Sequence, residues 1–137
     1  MLLARLLGAA NDACLIPPFF CDYGYNIKLG AKVYFNVNCV VLDVMPVSIG
    51  NNALFGPGVH IYTALHPMRV AERRLGLEFA RPVTIGADVW VGGSVVVCPG
   101  VTIGAGSVIG AGSVVTRDIP PGVFAAGNPC RVIRGIE

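Results

Sequence analysis

The chain has 137 residues, 54% of them hydrophobic and only 13% charged, with a net charge of +2. That length suits one domain, and the apolar share is high for a surface that must face water alone, so self-association is expected. Of the ten Lys and Arg, four fall between Arg69 and Arg81 and three more are Arg117, Arg131 and Arg134. This spread does not form the continuous basic stripe that a nucleic-acid partner would require.

Met1 to Ala10 places Leu2, Leu3, Leu6 and Leu7 at helical spacing, interrupted by Arg5. The interruption argues against a signal peptide. Residues 1–18 are therefore read as a short N-terminal helical segment, and 19–137 as a single β domain. No run of 18 apolar residues occurs, so no membrane-spanning helix is expected. The five cysteines (Cys14, Cys21, Cys39, Cys98 and Cys130) are odd in number and widely spaced, without a C-x-x-C. They read as reduced, packed thiols of a cytoplasmic protein, not as a disulfide framework or zinc site.

A repeat begins with Leu29, Phe35 and Val41, which lie six residues apart. Ile49, Phe55 and Ile61 continue it in a register displaced by two, which predicts about two extra residues near Leu42 to Pro46. Residues 62–82 lack the repeat and hold His66, Pro67, several Arg and two Glu; because the register resumes afterwards, they are an excursion from one corner. From Val83 onward the hexads run unbroken through Ile85, Val91, Val97, Ile103, Ile109 and Val115. Val83, Val89, Val95, Val101, Ser107 and Ser113 stand two places earlier in each unit. Six is a multiple of two and not of 3.6, so the pattern describes short strands with alternating side chains and not a helix. The fold implied is a stacked coil of strands and corners, with aliphatics in the bore and Gly86, Gly92, Gly104 and Gly110 at corners where φ can be positive. Pro120, Pro121 and Gly127-Asn128-Pro129 end the coil, and Ile133 and Ile136 suggest a last strand that folds back.

Among candidate chemical groups, His66 lies on the excursion and carries an imidazole, the side chain most often used as a general base, although an ordinary loop histidine fits its position equally well. His60 alternates with Val59 and Ile61 and is expected to face outward. Cys98, ahead of Pro99-Gly100, has no neighbouring base and reads as a packed corner thiol. Trp90 falls on an outward step, where it would line a binding surface or a subunit contact.

Four segments carry a resemblance: Cys-Asp-Tyr-Gly-Tyr-Asn-Ile from Cys21, Val-His-Ile-Tyr-Thr-Ala-Leu-His-Pro from Val59, Pro-Val-Thr-Ile-Gly-Ala-Asp-Val-Trp-Val-Gly-Gly from Pro82, and Gly-Asn-Pro-Cys-Arg-Val-Ile-Arg from Gly127. In these the chain resembles the maltose and galactoside O-acetyltransferases of the hexapeptide-repeat family. The resemblance implies an all-β fold, a left-handed parallel β-helix, assembled as a homotrimer with active sites between subunits. It implies acetyl-CoA as co-substrate, no metal, and a small hydroxylated acceptor, in this family a sugar. It implies His66 as catalytic base and Asn36 beside the acetyl group. Asp22 and Glu78 would contact the acceptor, and Trp90, Gly93, Ala111, Thr116, Arg117, Arg131 and Arg134 would contact coenzyme A. A backbone N–H between Trp90 and Gly93 would meet the developing oxyanion, and the arginines would meet phosphates.

Relatives of this kind carry a longer N-terminal helical segment, of which residues 1–18 resemble the end. An acidic residue of that segment has no counterpart, and Val44 stands where the galactoside branch has Asp. The acceptor therefore stays open between sugars and others such as serine or an antibiotic, and a non-catalytic trimeric scaffold is the second reading. Gamma-type carbonic anhydrases share a similar coil but hold zinc with three histidines, whereas this chain has only His60 and His66.

Overall fold

A computed structural model describes residues 8–9 and 12–137. Nineteen short strands and one short helix are assigned among them. Three parallel sheets form the faces of a prism. The first face stacks β1 (Gly8–Ala9), β4 (Ile27–Leu29), β7 (Val47–Ile49), β12 (Val83–Ile85) and β15 (Thr102–Ile103). The second stacks β2 (Cys14–Leu15), β5 (Tyr34–Phe35), β8 (Leu54–Phe55), β13 (Trp90–Val91), β16 (Val108–Ile109) and β18 (Val123–Gly127). It is closed by the antiparallel β19 (Cys130–Gly135). The third stacks β3 (Phe19–Cys21), β6 (Cys39–Leu42), β9 (His60–Tyr62), β14 (Val96–Val97) and β17 (Val114–Val115).

The chain visits the faces in rotation, so each full coil spans three hexads. Thr84 pairs with Thr102, and Trp90 with Val108, one coil further on. Earlier the step is longer, Lys28 pairing with Ser48 and Val40 with His60. The two additional residues lie in the corner after β6, where the shift of register placed them. The hexad aliphatics fill the bore: Ile85, Val91, Val97, Ile103, Ile109 and Val115 are all buried. Phe35 and Phe55 stack face to face inside it, 4.3 Å between ring centroids. Such burial contributes about 1.5–3 kcal/mol for each large side chain.

Ser107 and Ser113 replace the aliphatic where the last coil shortens. Ser107 Oγ donates to the Pro120 carbonyl at 2.7 Å and accepts from the Val123 N–H, while Ser113 Oγ donates to the Gly110 carbonyl and accepts from the Gly127 N–H. A hydroxyl at these sites satisfies backbone groups that an out-of-step final coil leaves unpaired.

Two expectations need correction. Gly8–Ala9 and Cys14–Leu15 are strands, pairing with β4 and β5, so the helix read over 1–18 does not extend through them; residues 1–7 and 10–11 lie outside the described residues. The strands form because neighbouring coils offer open ladder edges. The second concerns Gly86, Gly92, Gly104 and Gly110, none of which has positive φ. Left-handed backbone falls elsewhere in the corners, at Asp88, Ser94, Gly100, Gly106 and Gly112. What excludes a side chain at the first set is the next coil: a Cβ on Gly86 would lie 2.6 Å from the Ala105 nitrogen.

The outer faces differ in chemistry. The first carries the polar ladder Lys28, Ser48, Thr84 and Thr102. The second carries Tyr34, Leu54, Trp90, Val108 and Phe124, and the third Phe20, Val40, His60, Val96 and Val114. Among the described residues no helix is long and apolar enough to cross a membrane.

The crowded corner yields a stability prediction. Gly86→Ala should lower unfolding free energy by about 1–3 kcal/mol, because the added methyl meets backbone that cannot yield. Gly135→Ala, where a Cβ meets nothing within 4 Å, should stay within about 0.5 kcal/mol. Paired urea-unfolding curves test both.

Candidate active site

Because the coils stack in register, each edge of the prism gathers residues from distant parts of the chain. Between the second and third faces, Asn36, Gly56, Gly92 and Gly110 form one column, their N–H groups donating to Phe55, Val91, Ile109 and Ala125 carbonyls at 2.8–2.9 Å. The column beside it holds Gly93 and Ala111, since Gly112 N–H donates to the Gly93 carbonyl. The structure thus brings Asn36, Gly93 and Ala111 to one edge. Asn36 Oδ1 accepts the Val37 N–H at 2.8 Å, which orients the amide. The N–H groups of Trp90 and Gly92 already donate to the Ser107 and Ile109 carbonyls, so of that stretch Gly93 is the better donor toward a ligand.

Between the third and first faces lies a second set. Asp22 opens the corner after β3, Thr116 and Arg117 open the corner after β17, and the excursion leaves between them. Its base is closed by the Arg81 N–H donating to the Thr63 carbonyl, and by the antiparallel pair β10 (Ala64–Leu65) and β11 (Phe79–Ala80). Buried Thr63 donates its hydroxyl to the Leu42 carbonyl at 2.6 Å and accepts the Met45 N–H. The arm therefore leaves the coil from a fixed foot. Its tip holds α1 (Val70–Arg74), with Arg73 donating to the Pro67 and Met68 carbonyls. The excursion, which shows no period in the sequence, is a hairpin with a helical tip.

His66 follows β10 directly and is exposed. The pairing of Leu65 with Phe79 carries on to set His66 across from Glu78, also exposed; no ion pair joins them among the described residues. His66, Glu78, Asp22, Thr116 and Arg117 thus belong to one edge, while Asn36, Gly93 and Ala111 belong to another. The width of the third face separates the two sets within one chain. His60 does face outward there, its Nδ1 2.6 Å from the Tyr62 hydroxyl. Burial pushes the Cys98 thiol above its ordinary range, which suppresses the thiolate and fits a packing role.

Trp90, Val108, Phe124, Arg134 and Ile136 line a recess of about 330 Å³ on the second face. Arg134 lies over the Phe124 ring, 5.8 Å from its centroid, so an apolar floor meets a guanidinium at its rim. Arg131 is exposed on the same strand, its Nη1 donating to the Cys130 carbonyl. No group of three or more His, Cys, Asp or Glu among the described residues could hold a metal ion.

Comparison with known proteins bears on what this arrangement does. The family model for the bacterial transferase hexapeptide (six repeats) matches residues 82–117. Nodulation protein L of Rhizobium leguminosarum bv. viciae is 55% identical over 135 residues, covering 98% of this chain and 71% of its own. A maltose O-acetyltransferase from Clostridium difficile 630 superposes with a TM-score of 0.97 at 49% identity, over 98% of this chain and 73% of that one. The chain belongs to the hexapeptide-repeat acetyltransferases. A further hexapeptide-repeat acetyltransferase, from Vibrio cholerae O1 biovar eltor, was solved in complex with acetyl-CoA; it is 40% identical, with a TM-score of 0.96 over 99% of this chain and 75% of that one.

One feature of this hexapeptide-repeat acetyltransferase is not legible in its sequence. Asp43, in the two-residue insertion after β6, is fully buried. Its carboxylate accepts N–H groups from Asp22, Tyr23, Gly24 and Asn26 at 2.7–3.2 Å. The Asn26 side chain donates to its carbonyl. A single carboxylate thus organises the corner that carries Asp22. The only trace in the sequence is the register shift, which marks extra residues without revealing where they point. Asp43→Ala leaves four backbone donors, that of buried Gly24 among them, without their acceptor and should cost roughly 3 kcal/mol in unfolding free energy, read by urea titration.

Proposed function

We propose that the chain transfers an acetyl group from acetyl-CoA directly to a hydroxyl of a sugar or similar small acceptor, with His66 as general base. The observation that carries this reading is the division of its polar groups between two prism edges: His66 stands on an arm with a fixed foot at one, and Asn36 with the free Gly93 N–H at the other. A second copy of the chain, seated against the first, would unite them. The arm supports such seating, because Met68 is 94% and Leu75 76% exposed at its tip and apolar side chains of that size favour cover. Three copies related by a closing three-fold rotation would share three such sites.

The residues at the second face suit acetyl-CoA. Trp90, Val108 and Phe124 offer apolar surface to its less polar portions, Gly93 and Ala111 let a chain approach the corner closely, and Arg131 and Arg134 present guanidinium groups to phosphates, with Arg117 on the other edge available only from a neighbouring copy. Bound there, acetyl-CoA supplies an activated acyl group on a sulfur leaving group. His66 takes the proton from the acceptor hydroxyl as its oxygen bonds to the acyl carbon. The carbon–sulfur bond breaks, and the proton on the imidazole passes to the departing sulfur. Gly93 N–H and the Asn36 amide would receive the charge that gathers on the carbonyl oxygen. Asp22 and Glu78 accept hydrogen bonds from neighbouring acceptor hydroxyls. The substrate of the Clostridium relative, a maltose O-acetyltransferase, supports a sugar as acceptor.

The test is thiol release from acetyl-CoA with maltose, glucose and a galactoside. His66→Ala should slow release by about 100- to 10,000-fold; equal rates in wild type and variant would refute the base. Co-refolding inactive His66→Ala with inactive Asn36→Ala chains should restore about a quarter of wild-type activity, because every mixed trimer then contains one site intact on both sides. Absence of any recovery in demonstrably mixed trimers would refute the shared site.

A further inference from the structure

The corner after β3 holds side chains that the acetyl-transfer chemistry leaves unused. Tyr23 and Tyr25 stand there with ring centroids 5.2 Å apart and planes inclined by 34°. Both are more than half exposed, Tyr25 at 62%. Exposed aromatic rings are ordinarily poorly held, but the backbone beneath these is not. Four N–H groups of the corner converge on the buried Asp43 carboxylate, and Gly24 between the tyrosines takes φ +87°.

The same hydrogen bonds tie this corner to the arm. Asp43 belongs to the next corner of the edge, whose Leu42 carbonyl and Met45 N–H are both bonded to the Thr63 hydroxyl. Thr63 is the foot of the arm, three residues before His66. Three successive corners are therefore joined, with the tyrosine pair at one end and the imidazole at the other.

We propose that Tyr23 and Tyr25 form a stacking platform for the pyranose ring of the acceptor, and so select cyclic sugars over flexible hydroxylated molecules. This rests on the acetyl-transfer reading for its purpose, though not for its test. The face of an aromatic ring carries partial negative charge, and one side of a pyranose presents a patch of C–H groups with partial positive charge. Two rings inclined by 34° offer a broader surface than one, suited to a rigid ring and not to a mobile chain. Asp22, in the same corner, accepts hydroxyl hydrogen bonds at the rim. Asp22 and Glu78 on that edge offer carboxylates to hydroxyl groups, so the acceptor it suits is polyhydroxylated.

Binding and turnover are measured separately. Saturation-transfer NMR with maltose and methyl β-galactoside reports binding, and thiol release reports transfer. Tyr25→Ala should weaken the Kd for both sugars by about tenfold, the loss expected for one stacking partner, with the kinetic effect in KM for the sugar and not in KM for acetyl-CoA. Tyr25→Phe, which keeps the ring, should bind like wild type, and melting curves of both variants establish that the fold is retained. Unchanged sugar affinity in folded Tyr25→Ala and Tyr23→Ala, or no sugar binding by wild type, overturns the platform. Tyrosine-dependent sugar binding without thiol release would uphold the platform and overturn the acetyl-transfer reading instead.

Discussion

Everything in this molecule depends on how closely one coil lies on the next. Backbone N–H groups reach the carbonyls of the adjoining coil at 2.8–3.1 Å along every face, and at corners such as Gly50, Gly56, Gly86, Gly92 and Gly104 the approach is tighter than a side chain permits. A Cβ on Gly56 or Gly92 would fall 2.6 Å from the nitrogen of Gly93 or Ala111. The constraint works in both directions. It forces small residues into a fixed place in the hexad, and it locks each coil so that residues far apart in sequence stand in straight columns. Asn36, Gly93 and Ala111 share an edge for this reason alone.

That dependence explains which features the sequence reveals. A six-residue period states which side chains point inward, so the bore from Leu29 to Val115 is legible from the repeat alone. It does not state which outward residues stack, because that requires counting three hexads per coil and carrying the insertions through. The column of Tyr34, Leu54, Trp90, Val108 and Phe124 is therefore invisible to the repeat, although every member lies within a recognisable unit. The amino-terminal strands fail for a different reason. Ala9, Leu15 and Cys21 keep the six-residue spacing, but only Leu15 is a large aliphatic, so the signal is weak, and nearby leucines at helical spacing supply a competing one.

Asp43 shows the limit most clearly. By type and neighbourhood it is an acidic residue in a corner, ordinarily solvated. Its burial follows from a corner one coil earlier in the chain, which also carries two extra residues and so turns its N–H groups inward around a common point. Two insertions at one edge complement each other, and neither has meaning alone. Thr63 serves the same purpose in the following coil, where it fastens the arm. Position alone left His66 undistinguished from other loop histidines; what sets it apart is that its arm springs from this reinforced edge.

The prism itself encloses a ligand poorly; its recess at Trp90, Val108 and Phe124 lies open on one face. Alternation along each strand sends half the side chains into a filled bore and half onto nearly flat faces, so neither surface encloses a ligand. Enclosure has to come from a protrusion, from a second body, or from both, and the chain is provided for both. The first face is a polar ladder of Lys28, Ser48, Thr84 and Thr102, fit to remain in water, while the second and third present Tyr34, Leu54, Trp90, Phe20 and Val96 outward. An apolar pair of faces meeting at the edge that carries Asn36 leaves one direction for packing, and the arm on the neighbouring edge extends with its own apolar tip. Under the proposed reading, the separation of His66 from Asn36 across the third face is what a second copy of the chain would bridge.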